Sequence, residues 1–131
     1  MFNKVLVVCV GNICRSPVGE KLLQQLFPKL EINSAGIAAL VGKPADKYSI
    51  EVARMQHIDI SSHIAKQLTR EMIAKHDLIL VMEKAHIKAV TEIDPTARGK
   101  TMLFAQWNEQ QDIPDPYRQK KEAFEFVYEL I

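Results

Sequence analysis

The residues with the clearest chemical potential lie near the start of the chain, where Cys9 is followed by five residues and then by Arg15. A cysteine thiolate is a strong nucleophile, and an arginine guanidinium presents a planar fork that matches two oxygens of a phosphate-like anion. Ser16 carries a hydroxyl that can donate a hydrogen bond to a thiolate. This spacing therefore predicts a loop that holds an anion above a cysteine nucleophile.

The elements that flank this loop are of the kind that could position it. A strand is predicted over residues 4–10, because the run after Lys4 is continuously apolar, which is typical of a strand buried on both faces. Gly11 and Asn12 are the residue types that most readily adopt left-handed backbone angles. Ser16 as an N-cap and Pro17 in the first turn predict the start of a helix. In such a strand–loop–helix unit, inward-facing amide groups and the helix dipole both favour a bound anion.

The rest of the chain alternates between strand and helix patterns. Further strands are predicted at residues 30–34, 77–82 and 100–104, helices at 17–27, 46–57, 84–93 and 123–131, and a helical turn near residue 70. This alternation predicts a three-layer αβα fold with a four-stranded parallel sheet. The anion-binding loop after strand 1 then lies at the carboxyl edge of the sheet, where such sheets bind ligands.

Composition narrows the function classes. The 131 residues fit a single domain spanning 1–131, with 47% hydrophobic and 25% charged residues and a net charge of +1. We therefore expect neither nucleic-acid binding nor membrane insertion, and a cytoplasmic location. Both cysteines lie in the loop and the four histidines are scattered, so we expect no metal and no other cofactor.

A general acid is the missing part of a phosphoryl-transfer site. Asp115 lies between Pro114 and Pro116, which restrict its backbone, in a polar loop predicted over residues 105–118. A stiff turn with a solvated carboxylate explains the same pattern equally well, and Asp112 competes on composition alone.

Three motifs together resemble the low-molecular-weight protein tyrosine phosphatases. They are V-C-V-G-N-I-C-R-S-P at residues 8–17, N-S-A-G at 33–36 and P-D-P-Y at 114–117, and the resemblance extends over essentially the whole chain. The sequence looks most like the bacterial members that act on tyrosine autokinases of capsule and exopolysaccharide export. The resemblance implies hydrolysis of phosphotyrosine in proteins, with a tyrosine autokinase as partner and inorganic phosphate or vanadate as loop ligands.

The resemblance also implies a role for each motif residue. Cys9 is expected to form a phosphocysteine intermediate, Arg15 to clamp the phosphoryl group, and Asp115 to protonate the leaving group and then activate water. Leu40 and Tyr117 are expected to grip the phosphotyrosine ring. The full substrate-binding set implied in this way comprises Val10, Gly11, Asn12, Ile13, Cys14, Ser16, Leu40 and Tyr117.

Supporting roles follow from the same resemblance. Ser16 is expected to stabilise the thiolate, and Asn12 and Ser34 to hold the loop in shape by hydrogen bonding. Cys14 is expected to form a reversible disulfide with Cys9 under oxidation.

The chain departs from the family pattern in three respects. Many members, especially eukaryotic ones, have an aromatic residue where Leu40 stands, and many have a second tyrosine where Tyr117 is followed here by Arg118. The final helical pattern also stops at Ile131. A substrate preference based on ring stacking and regulation through a tyrosine pair therefore do not transfer.

Three other protein classes are alternatives to a phosphatase. An arsenate reductase needs cysteines outside the loop, and this chain has none. A phosphocarrier domain has no use for Arg15 or Asp115, and a phosphotyrosine-binding module has no use for a nucleophile. Hydrolysis of an aryl phosphate discriminates among these classes.

Overall fold

A computed structural model describes residues 3–104 of the chain. Its four strands are β1 (Lys4–Cys9), β2 (Glu31–Gly36), β3 (Leu78–Val81) and β4 (Thr101–Leu103). Its α-helices are α1 (Arg15–Leu26), α2 (Lys47–Met55), α3 (Arg70–Lys75) and α4 (Lys84–Ile93), and a 3-10 helix spans Pro95–Lys100. The loop predicted at residues 105–118 and the helix predicted at 123–131 lie outside the described residues.

The four strands form one parallel sheet in the order β2-β1-β3-β4, which confirms the predicted four-stranded parallel sheet. β1 lies between β2 and β3, and its residues after Lys4 are buried, as expected for a strand covered on both faces. Cys9 is in register with Gly36, so β1 and β2 end side by side. The loop after β1 therefore emerges beside the end of β2.

Helices cover both faces of this sheet. Leu6 and Val8 of β1 point to the face where Ile73 of α3 and Val90 of α4 pack. Side chains alternate between the two faces along a strand, so Val7 points to the opposite face of the sheet. There it belongs to a cluster against which Leu23 of α1 packs. This alternation produces the three-layer αβα arrangement that the sequence predicts.

Helix starts agree with the sequence where the cap is local. Asp46 caps α2 by accepting from the Tyr48 amide at 3.0 Å, and Thr69 caps α3 by accepting from the Met72 amide at 3.2 Å. The expected N-cap at Ser16 is wrong. α1 starts at Arg15 with Cys14 as its N-cap, which places Ser16 inside the first turn with its hydroxyl directed into the loop.

The 3-10 helix is an element that the sequence analysis lacks. Asp94, expected only to end α4, accepts from the amide and the hydroxyl of Thr96 and so starts a further helical segment before β4. Within residues 3–104, no helix is long and apolar enough to span a bilayer.

Candidate active site

The loop between β1 and α1 turns its carbonyl groups away from its own interior. All six carbonyls from Cys9 to Cys14 accept a hydrogen bond from a surrounding segment. In chain order the donors are the amides of Ile37, Ala38 and Leu40, the Nε2 atom of His63, the amide of Asp46 and the hydroxyl of Ser49, at distances of 2.5 to 3.3 Å.

This outward bonding directs the loop amides inward. Each described peptide bond is trans, and in a trans peptide unit the N–H points opposite to the C=O. The amide of Asn12, whose peptide partner is the outward carbonyl of Gly11, donates to the Cys9 sulfur at 3.3 Å. Successive inward amides form an anion-binding nest, and the thiol lies among them.

The nucleophile candidate has a hydroxyl beside it. Cys9 is 2% exposed at the end of β1, and its Sγ atom lies 2.9 Å from Oγ of Ser16. Ser16 Oγ also accepts from Nδ2 of Asn12 at 2.7 Å, which leaves the Ser16 hydrogen free to be donated to a thiolate. The arrangement can therefore solvate a negative charge on Cys9 without water.

Asn12 determines the shape of the loop. It is fully buried and has a φ of 59°, in the left-handed region that asparagine tolerates better than most residues. Its Nδ2 atom donates to Ser34 Oγ at 3.1 Å as well as to Ser16, and Ser34 in turn donates to Glu20. The two residues expected to support the loop are thus in direct contact.

The segment before α3 holds Asn12 from the other side. The amide of Lys66 donates to Oδ1 of Asn12 at 2.8 Å, and Nε2 of His63 donates to its carbonyl at 2.5 Å. Burial lowers the pKa of His63, although its bond to Asn12 opposes that shift. The imidazole is thereby favoured in its neutral form, with the proton on Nε2. His63 carries no local sequence signal for this role, because its partner is 51 residues away.

Gly36 allows β2 to end against the loop. A Cβ at this position would lie 2.4 Å from the carbonyl oxygen of Val10 and 3.0 Å from Cβ of Asn12. Such contacts are too short for any side chain. Glycine is therefore required at the end of β2, from which the chain continues along the loop and the backbone amides within residues 37–40 donate to its carbonyls.

Arg15 is the first residue of α1 and is 1% exposed. Its Nη1 atom lies 2.7 Å from Oε1 of Glu83, the residue that precedes α4. Oε2 of Glu83 lies 3.7 Å from Nε2 of His86. Glu83 is not among the residues predicted from the sequence. Its position two residues after β3, at the carboxyl edge of the sheet, was the available signal.

A cavity of about 100 Å³ opens above the loop. Its lining residues are Cys9, Val10, Gly11, Ile13, Cys14, Arg15, Ala38 and Leu40. Its walls are mostly apolar, and Leu40 is partly exposed at 38%. Cys9, Arg15, Leu40 and most of the predicted binding residues therefore share one cavity. Asp115 and Tyr117 lie outside the described residues.

Comparison with known proteins agrees with this geometry. Residues 4–131 match the family model described as low molecular weight phosphotyrosine protein phosphatase. The chain belongs to that family. It is therefore a protein-tyrosine phosphatase, a hydrolase.

Individual relatives of this phosphatase family cover nearly the whole chain. The low molecular weight protein-tyrosine-phosphatase Etp of Escherichia coli strain K12 is 52% identical over 130 residues, covering 99% of this chain and 88% of the relative. The phosphatase Wzb of Escherichia coli strain K12 is 51% identical, with 100% and 89% covered. The structure of Vibrio vulnificus Wzb in complex with benzylphosphonate superposes with a TM-score of 0.97 at 59% identity, covering 99% and 92%.

Proposed function

We propose that this phosphatase hydrolyses phosphotyrosine in proteins through a phosphocysteine intermediate at Cys9. The observation that carries the proposal is the position of the Cys9 thiol. It lies 2.9 Å from the Ser16 hydroxyl and 3.3 Å from the Asn12 amide, in a loop whose carbonyls all bond outward. A phosphoryl group whose oxygens accept hydrogen bonds from those amides would have its phosphorus atom directly above the sulfur.

The first chemical step forms a P–S bond and breaks the P–O bond to the tyrosine ring. The Cys9 thiolate supplies the electron pair, and the phenolate oxygen leaves with a proton from Asp115. Arg15, already at the start of α1, binds two of the equatorial phosphoryl oxygens as charge develops on them.

The second step releases phosphate and restores the enzyme. Asp115, now a carboxylate, takes a proton from water while the water oxygen attacks phosphorus. The P–S bond breaks, and its electron pair returns to Cys9 as a thiolate that Ser16 solvates. No redox partner or additional reactant is needed.

The mouth of the cavity favours an aromatic substrate. Ile13, Ala38 and Leu40 give it an apolar wall, and none of the described lining residues carries a carboxylate. A phosphotyrosine ring can be buried against such a wall in contact with Leu40, and the family resemblance implies Tyr117 as a further contact of the ring. A leucine contributes apolar contact without ring stacking, so selection among aryl substrates rests more on shape than on aromatic pairing.

We propose a bacterial tyrosine autokinase of polysaccharide export as the physiological substrate, and a cytoplasmic location where such a kinase exposes its phosphorylated tyrosines. The support is the similarity to bacterial family members described above. Incubation with the purified phosphorylated kinase domain should remove phosphotyrosine, whereas phosphoserine in a control protein should persist.

Cys14 is proposed as a redox partner of Cys9. Both cysteines are buried and reduced in this structure. A peroxide would oxidise Cys9 to the sulfenic acid, and the Cys14 thiol would then displace water to form a disulfide. Peroxide-treated enzyme should regain activity with dithiothreitol, and Cys14→Ser should make that inactivation largely irreversible.

Trapping of the intermediate tests the central proposal. The substrate is an aryl phosphate labelled on its phosphoryl group. Wild-type enzyme quenched in acid during turnover of this substrate should carry the label on Cys9. Cys9→Ala should carry none and should show no turnover. Turnover by Cys9→Ala at a rate near that of the wild type would disprove the nucleophile assignment.

A further inference from the structure

A second cavity, of about 300 Å³, lies behind the loop and is separate from the mouth. Lys21 of α1 lines one side, and Lys66 in the segment before α3 lines the other. None of the residues that line the mouth contributes to this cavity. A molecule bound here would therefore not compete directly with a phosphoryl group for space.

The charges around this cavity favour a monoanion. Its one carboxylate, Glu20, accepts hydrogen bonds from Ser34 and from Gln24, so it is already occupied. Within residues 3–104, no ion pair joins Lys21 or Lys66 to an acidic side chain. Among the lining residues, two ammonium groups against one carboxylate leave one net positive charge, and the carboxyl of Asp59 interacts with Lys21 from outside the lining. This balance suits a carboxylate better than a dianion.

The remaining lining is suited to a short hydrocarbon group. Pro17, Ile60 and Ile64 contribute apolar surface, and Ile64 is 60% exposed at the cavity edge. Ser62 adds a hydroxyl that can donate to an anion. The surface thus offers apolar contact to the stem of a ligand and cationic donors to its head.

The walls of this cavity are also the supports of Asn12. His63 and Lys66 on one side, and Ser34 on the other, all hydrogen bond to that residue. A ligand that fixes these walls also fixes the left-handed backbone of Asn12, on which the amide positions of the loop depend. Because coupling between two sites is reciprocal, an occupied loop should in turn strengthen binding in the cavity.

We propose that this second cavity binds a small organic carboxylate with a short apolar stem, and that Asn12 couples it energetically to the anion-binding loop. The ligand is a free small molecule recognised by one carboxylate head and a few carbon atoms. The coupling is positive, because both ligands favour the same conformation of Asn12.

Butyrate is a suitable probe, with butyramide as the uncharged control of the same shape. Titration of the enzyme with its loop empty, followed by amide NMR, should shift the signals of Ser62 and Lys66 with butyrate and leave them in place with butyramide. The titration should then be repeated with the loop saturated with vanadate. We expect butyrate to bind about fivefold more tightly in that state, and vanadate to gain the same factor from saturating butyrate.

A pair of lysine variants locates the site. Lys21→Ala should weaken butyrate binding about threefold or more, whereas Lys29→Ala, an exposed lysine that does not line the cavity, should leave it unchanged. Failure of butyrate to shift these amides at millimolar concentration, or equal shifts with butyramide, would overturn the site. Identical butyrate affinities with and without vanadate would overturn the coupling.

Discussion

The buried guanidinium of Arg15 is anchored by Glu83, with 2.7 Å between Nη1 and Oε1. This ion pair joins the start of α1 to the residue that precedes α4, 68 positions further along the chain. One edge of the guanidinium is thereby held by protein. The fork that we propose to bind the phosphoryl group is consequently preoriented before substrate arrives.

Glu83→Gln should lower kcat/KM for an aryl phosphate by about 10- to 150-fold, because Arg15 loses its charged partner. This factor corresponds to a charge-assisted hydrogen bond of about 1.5–3 kcal/mol. The inhibition constant of vanadate should rise in parallel, because vanadate needs the same guanidinium geometry. Steady-state kinetics with and without vanadate measure both effects.

Glu92→Gln is the matched control for this prediction. Glu92 is exposed on α4 and forms no ion pair within residues 3–104. Its variant should retain wild-type kinetics. Wild-type kinetics in Glu83→Gln as well would show that Arg15 is positioned without this carboxylate.

The sequence was sufficient for the parts of the site that local interactions determine. The apolar run before Cys9 identified a doubly buried strand, and Asp46 and Thr69 cap their helices through bonds spanning two and three residues. Ser16 misled the prediction because a serine next to a proline matches a helix cap. In the structure its hydroxyl has stronger partners in Asn12 and Cys9.

The rest of the site depends on which strands become neighbours. Glu83 reaches Arg15 only because β3 pairs with β1, and a sequence pattern does not give that order. The donors that turn the loop carbonyls outward come from residues 37–49 and from His63. Their roles are set by tertiary packing, so composition and periodicity carry no signal for them.

Gly36→Ala should destabilise the protein and impair the loop together. The added Cβ would lie 2.4 Å from the Val10 oxygen, a backbone atom that cannot rotate away. We expect the free energy of unfolding to fall by about 1–3 kcal/mol, and kcat to fall with it because Val10 belongs to the anion nest. Urea unfolding and steady-state kinetics on one preparation measure the two effects.

Gly99→Ala is the corresponding control. A Cβ at Gly99 meets no atom within 4 Å, and its φ is not in the left-handed region. This variant should be as stable as the wild type or more stable by about 0.4–1 kcal/mol. If the two alanine variants unfolded at the same urea concentration, the close approach at Gly36 would have no energetic consequence.

Asp77 makes the free energy of unfolding depend on pH in the acidic range. Its Oδ2 atom accepts from the amides of Asn3 and Lys4 at 2.8 and 2.9 Å, and these bonds lower the pKa of the carboxyl below its usual value. A lowered folded-state pKa contributes stability above the unfolded pKa of about 3.9, and this contribution is lost as pH falls through the folded value.

Asp77→Asn should therefore unfold at lower urea concentration than the wild type at pH 7, and the difference should shrink as the pH falls below about 4. Glu92→Gln should follow the wild-type curve throughout. A constant difference between Asp77→Asn and wild type across this pH range would show that the charge of Asp77 contributes nothing.

Asp115→Asn tests the proposed general acid, which lies outside the described residues. Cleavage of a substrate with a poor leaving group needs a proton at the ester oxygen, whereas a good leaving group departs as an anion. The variant should therefore lose far more activity toward phenyl phosphate than toward p-nitrophenyl phosphate. The wild-type rate should fall toward alkaline pH, where Asp115 loses the proton that it donates, and this alkaline-side fall should disappear in the variant. Equal losses of activity toward both substrates would show that Asp115 is not the general acid. The parallel variant Asp112→Asn is expected to be active. If Asp115 were excluded, Asp112→Asn would be tested for the same dependence on the leaving group.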